Sequence, residues 1–195
     1  MNFIPLPIPG AFRIELVSHQ DQRGFFVRTY DKTLFKAQGL VTHWVQESHS
    51  CSRLKGTLRG LHFQRPPHAE TKLIRVAQGK VFMAMIDLRK GSVAFGKPFT
   101  VILSQDEPQL LYVPHGLALG MYTLTDQCSL LYKMDQEYFP ASQGVIRWDD
   151  PDFNIPWPLE GKPIVSERDA SAPLFKEFVK AEGGFVMPKD MGTDL

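Results

Sequence analysis

The segment Thr57-Leu58-Arg59-Gly60-Leu61-His62-Phe63-Gln64 carries the densest set of side chains able to do chemistry. Read as a strand, it places Leu58, Gly60, His62 and Gln64 on one face and Arg59, Leu61 and Phe63 on the other. Gly60 leaves space beside His62, which a ligand approaching the strand would need. The bland alternative is a histidine satisfied by hydrogen bonds inside a barrel. Lys72 opens a second run, Lys72-Leu73-Ile74-Arg75-Val76. Facing inward, it sets an ammonium in the protein interior, which is costly unless something anionic meets it. At a solvated strand end it would do nothing special. Tyr132, within Leu130-Leu131-Tyr132-Lys133-Met134, shares a face with Leu130 and Met134. Its phenol either bonds something structural or, placed opposite a base, serves as a general acid. Asp169 reads most simply as a capping carboxylate at the start of the last helix.

Strands must position these groups. Short runs rich in β-branched and aromatic residues recur between Gly and Pro punctuation: Phe12–Val17, Phe25–Tyr30, His43–Ser48, Thr57–Gln64, Lys72–Ala77, Val81–Leu88, Phe99–Ser104, Gln109–Val113, Leu117–Thr123 and Ser129–Met134. Strands at spacings of about 8–12 residues predict an all-β sandwich or barrel. Two helices are expected. Asp31 can cap Lys32–Gln38, ending at Gly39. Ser166 followed by Asp169 reads as a capping-box variant before Ala170–Lys180, with Phe175, Phe178 and Val179 as its apolar face.

The chain has 195 residues, with 22 Lys+Arg against 21 Asp+Glu, 15 Gly, 15 Pro and two Cys. That length predicts a single domain over residues 1–195, with 183–195 as a loosely held tail. A chain of this size buries about 70% of its unfolded surface, enough for a core without disulfide or metal staples. A net charge of +1 gives no broad basic field, which argues against nucleic-acid binding or attachment to anionic membrane. Apolar runs such as Val81–Ile86 fall far short of the ~20 residues a membrane span needs. Met1-Asn2-Phe3-Ile4-Pro5 offers neither a basic start nor an apolar signal core. Cys51 and Cys128 form no disulfide framework or CxxC spacing. Reduced thiols and a cytoplasmic location are expected.

Metal binding is not expected either. Metal-holding small β-barrels commonly carry His-x-His with a following Glu, then Pro-x-Gly-x-x-His. Here His62 and His68 are six apart with Glu70 close behind, and Pro114-His115-Gly116-Leu117-Ala118-Leu119 ends in leucine where a ligand histidine would sit.

A set of ordered landmarks carries a resemblance. They are Asp21-Gln22-Arg23-Gly24-Phe25-Phe26, Val45-Gln46-Glu47, Leu58 to Gln64, Lys72-Leu73-Ile74-Arg75, Phe95-Gly96, Leu131-Tyr132-Lys133, Trp148-Asp149-Asp150-Pro151 with Trp157-Pro158, and Ser166-Glu167-Arg168-Asp169-Ala170. Over about residues 10 to 176 the chain resembles the metal-free cupins that epimerise nucleotide-linked 4-keto sugars, the dTDP-4-dehydrorhamnose 3,5-epimerase family. The resemblance implies a double-stranded β-helix, or cupin jelly roll, that forms a homodimer by strand exchange near the N-terminus. It implies no cofactor and a nucleotide-sugar substrate. It assigns His62 as base, Asp169 as the carboxylate orienting it, Lys72 as enolate stabiliser and Tyr132 as proton donor from the opposite face. Arg59, with Arg23 from the partner chain, would hold the pyrophosphate, Gln46 would bind substrate, and Phe26 and Tyr138 would flank the nucleoside or sugar.

Physical chemistry fits those roles. A proton beside a ketone is too weakly acidic for imidazole unless the developing oxyanion is stabilised, and a preorganised cation can supply roughly 3–4 kcal/mol. Imidazole, titrating near ~6.5, suits proton abstraction at neutral pH. Arginine forks match phosphate oxygens. Three departures from the family pattern bear on the substrate. Leu119 stands where a histidine is usual, Arg28 where a glutamate is usual, and Ser48 where an asparagine is usual. Leu119 motivates the alternative of a single-site epimerase. A non-catalytic sugar-nucleotide-binding cupin is the alternative from another class.

Overall fold

The computed structural model describes residues 1–187. Among them the strands are β1 (Asn2–Pro5), β2 (Phe12–Glu15), β3 (Ser18–Asp21), β4 (Gly24–Val27), β5 (Gln46–Ser52), β6 (Leu58–Gln64), β7 (Lys72–Gln78), β8 (Lys80–Asp87), β9 (Pro98–Ser104), β10 (Gln109–Val113), β11 (Leu117–Thr123), β12 (Cys128–Met134) and β13 (Gln143–Val145). The helices are α1 (Lys32–Ala37), α2 (Glu167–Ala170) and α3 (Phe175–Glu182). No helix among the described residues is long and apolar enough to cross a membrane.

Two antiparallel sheets face each other, ordered β1-β2-β10-β7-β12-β5 and β13-β6-β11-β8-β9, as a jelly roll. From β5 to β8 and again from β9 to β13, successive strands alternate between the sheets. The ten expected runs all contain strand, with ends shifted by a few residues; the His43–Ser48 run becomes β5 at Gln46–Ser52. β1, β3 and β13 were not anticipated.

Period-two alternation sorts side chains into layers. On β8, Val81, Met83 and Met85 point into the inter-sheet core, while Phe82, Ala84 and Ile86 join an outer core beneath the C-terminal segment. The strand is buried on both faces, which is why it reads as an unbroken apolar run. On the other sheet, Leu73, Leu110 and Tyr112 face outward under Phe35 of α1 and Leu40.

Three expectations need correction. The single helix over Ala170–Lys180 is two helices, because Pro173 lacks an N–H and disfavours helical geometry at Ala172. Ser166 does cap α2, accepting from the Asp169 N–H, but the Asp169 carboxylate turns to other partners. Second, β6 does not alternate evenly. Leu58, Leu61 and Phe63 share the outer core, while Arg59 and His62 both line the interior cavity. Third, Gly183–Met187 is not loose. Phe185 is buried against Phe63 and Phe178, its N–H donates to Leu88 O, and its carbonyl accepts from Lys90 N. The remainder of the expected tail, 188–195, lies outside the described residues.

Candidate active site

Gly60 sets the β6 irregularity. Its φ is +122°, and a Cβ there would sit 2.6 Å from Gly120 Cα and 2.7 Å from Leu119 O. Only glycine tolerates both the backbone conformation and the approach. The β6–β11 register shifts between Leu119 and Met121 at this point. The shift brings Arg59 round to the same side as His62, three residues away.

Two cavities open between the sheets, about 270 Å³ and 230 Å³, and both are lined by His62, Lys72 and Tyr132. Arg59 and Leu119 line the first, with Leu119 directly opposite His62 in the β6–β11 ladder. Gln46, Gln64, Glu70, Tyr138 and Gln143 line the second. His62, Arg59 and Leu119 belong to one sheet; Lys72 and Tyr132 belong to the other. A ring lying between the sheets therefore meets an imidazole from one side and a phenol from the other. Among the described residues the Tyr132 hydroxyl has no hydrogen-bond partner, which leaves it open to a ligand.

His62 is oriented from behind. Its Nε2 lies 2.8 Å from Asp169 Oδ1, and Asp169 Oδ2 accepts from Gly60 N at 2.9 Å. Asp169 is buried at 3% exposure. Burial alone would push its pKa up; the hydrogen bonds from His62 and Gly60 N–H, with the nearby imidazole charge, outweigh it and hold the carboxyl below its ordinary value. An ionised carboxylate accepting from Nε2–H leaves the Nδ1 lone pair for a substrate proton.

The wall at Tyr138 is fixed by amides. Gln46 Oε1 accepts from Tyr138 N at 2.6 Å, and Gln64 Oε1 accepts from Phe139 N at 2.7 Å. The Tyr138 hydroxyl donates to Gln143 Oε1 at 2.9 Å. Arg23 and Phe26 are not brought to this site. They lie on the β3–β4 hairpin, where Arg23 pairs with Asp21 and Phe26 is 64% exposed beside a separate surface depression with Val17 and Arg28.

Residues 5–177 match the sequence profile of dTDP-4-dehydrorhamnose 3,5-epimerase. The chain belongs to that family. This epimerase is 40% identical over 170 residues to the dTDP-4-dehydrorhamnose 3,5-epimerase of Methanothermobacter thermautotrophicus, covering 86% of this chain and 91% of that one. It superimposes on the Legionella pneumophila dTDP-6-deoxy-D-glucose-3,5-epimerase, solved in complex with dTDP-4-keto-L-rhamnose, with a TM-score of 0.89 at 34% identity, covering 96% and 98% of the two chains. A 3'-monoepimerase from Streptomyces bikiniensis, in complex with dTDP-quinovose, gives 0.86 at 29% identity over 94% and 92%.

Glu70 and Gln143 of this epimerase line the cavity without having stood out in the sequence as substrate-site residues. Glu70 was weighed only as a metal ligand, although its position two before Lys72 in an extended chain puts both side chains on one face. Gln143 carries no local signal at all. Among the described residues no three His, Cys, Asp or Glu side chains converge to hold a metal ion.

Proposed function

We propose that this chain epimerises a nucleotide-linked 4-keto-6-deoxyhexose of the dTDP-4-dehydrorhamnose kind at carbon 3, carbon 5 or both. The observation that carries the reading is the His62–Asp169 pair on one sheet facing Lys72 and Tyr132 on the other. His62 Nδ1 takes the proton from the carbon beside the ketone. The C–H electron pair becomes the enolate double bond, and charge moves to the former carbonyl oxygen, where the Lys72 ammonium stabilises it. Tyr132 then delivers its proton to the opposite face; the His62 imidazolium releases its proton to solvent and the Tyr132 phenolate regains one, which resets both groups. Nothing is oxidised or reduced, and only configuration changes.

Arg59 in the cavity wall serves the pyrophosphate, Gln46 the substrate, and Tyr138 flanks the nucleoside or the sugar. Arg23 and Phe26 serve a second copy of the chain: the β3–β4 hairpin holds them clear of their own site, and a homodimer exchanging N-terminal strands would carry them into the partner's. The chain works as one cupin-type domain. A cytoplasmic location fits the free thiols Cys51 and Cys128.

Leu119 favours a second reading, a single-site epimerase, because it places an alkyl group opposite His62 in the sugar region. Likeness to a monoepimerase adds to it. Both readings are tested by incubation in deuterated water with thymidine, cytidine and guanosine diphosphate 4-keto-6-deoxyhexoses. Deuterium is expected at carbon 3, carbon 5 or both with the thymidine compound. Label confined to one carbon after long incubation selects the single-site enzyme. Label at neither carbon of any substrate overturns both.

A further inference from the structure

Lys72 Nζ lies 2.9 Å from Glu70 Oε1, and the two side chains are only 18% and 11% exposed. A largely buried ammonium needs a counter-charge, and Glu70 supplies the only one in reach among the described residues. On its own sheet, Lys72 is flanked across the ladders by Val113 and Met134, both apolar. The small void behind it is lined by Phe63, Val113, Leu117 and Leu119, with Gln64 and Glu70 as the polar side chains. Gln64 is already committed: its amide nitrogen donates to His68 O and Glu137 O, and its oxygen accepts from Phe139 N. The segment itself is pinned, since the buried Thr71 between the two residues donates its N–H to Asp135 Oδ1 at 2.6 Å.

We propose that Glu70 is a positioning residue for the reaction, its carboxylate holding the Lys72 ammonium in place through their ion pair so that the ammonium stays at the oxyanion position. A four-carbon stem with several rotatable bonds does not hold an ammonium to within an ångström unaided, and misplacement on that scale can cost about a hundredfold in rate. The anchoring carboxylate also balances the charge in the unliganded enzyme. The inference rests on Lys72 acting as enolate stabiliser.

The test is a kcat and KM comparison on the 4-keto nucleotide sugar for E70Q, E70A, K72M and the double variant E70A/K72M, each checked for folding by thermal melting. Anchoring predicts that E70A lowers kcat by about a hundredfold with KM within about twofold. E70Q, which keeps an acceptor but no charge, should fall between E70A and the parent, and it carries the test if E70A does not fold. In the K72M background, removing Glu70 should cost no more than about twofold, because there is no ammonium left to place. A folded E70A or E70Q with parental kcat, an effect confined to KM, or an equal loss in the K72M background overturns the inference while leaving the Lys72 role intact. Parental kcat in K72M overturns the Lys72 role and this inference with it.

Discussion

His62 and Asp169 meet across 107 positions of chain, and their hydrogen bond determines which imidazole nitrogen can act as base. Replacing Asp169 by Asn keeps the shape but removes the charge and reverses one hydrogen-bond direction. Asp169→Asn should lower kcat by about a hundredfold or more in a steady-state assay. It should also change acid stability. Because the folded carboxyl titrates below its ordinary value of 3.8, its stabilising contribution is complete above that value and is lost as pH falls through the folded pKa. Urea unfolding from about pH 5 downward should therefore show a shallower acid limb in Asp169→Asn than in the parent. Tyr132→Phe separates the two half-reactions: His62 can still remove and return the proton on one face. Solvent exchange should persist at a rate well above that of inversion, read by deuterium content and stereochemistry of recovered sugar.

The site's geometry depends at the element scale on β6 slipping past β11. Gly60→Ala drives a Cβ into the Gly120 backbone at a φ that L-residues avoid. It should destabilise the fold by on the order of 3 kcal/mol, or shift β6 and separate Arg59 from His62. At the other end of the dyad, Ser166 Oγ accepts from Asp169 N, so Ser166→Ala should cost about 1 kcal/mol in a melt and reduce kcat less than Asp169→Asn does. Here the limits of sequence reading are physical. β10 and β11 were legible to the residue because both faces are apolar and turn signals bound them. β3, Ser-His-Gln-Asp, has no apolar alternation, β13 is three residues long, and Pro5 masks β1. The even alternation assumed for β6 failed because the irregularity comes from contact with Gly120, a residue sixty positions away that no local pattern reveals. Pro173, by contrast, stood in plain view as a helix breaker.

For the whole molecule, the β3–β4 hairpin is the unfinished part. It forms a two-stranded sheet apart from the two main ones, and Phe25, Phe26 and Val17 are 70%, 64% and 60% exposed. A lone two-stranded unit with an apolar surface is poorly stable by itself and marks a surface that meets another protein. His62, Lys72, Tyr132 and Asp169 were legible as a set through the ordered motifs, and one chain brings all four together. Arg23 and Phe26 were equally legible as motif, yet their own chain's fold leaves them outside the cavity, and the destination proposed for them is a second chain's site. Co-expression tests that destination. Mixing Arg23→Ala with His62→Ala protomers forms some dimers in which one site keeps both residues. With random pairing, activity should recover to about a quarter of the parent level, well above the sum of the two variants alone. Recovery no greater than that sum would place Arg23 in its own chain's chemistry or outside it.

In the proposed mechanism His62 removes a carbon-bound proton with Tyr132 and Lys72 facing it. The most direct measurement of that step is deuterium incorporation from solvent into the 4-keto nucleotide sugar by His62→Ala, normalised to folded protein and set beside the parent enzyme. Label is expected at the epimerised carbon with the parent and almost none with the variant. Folded His62→Ala that exchanges at the parental rate would make His62 a structural residue and rule out its role as the base.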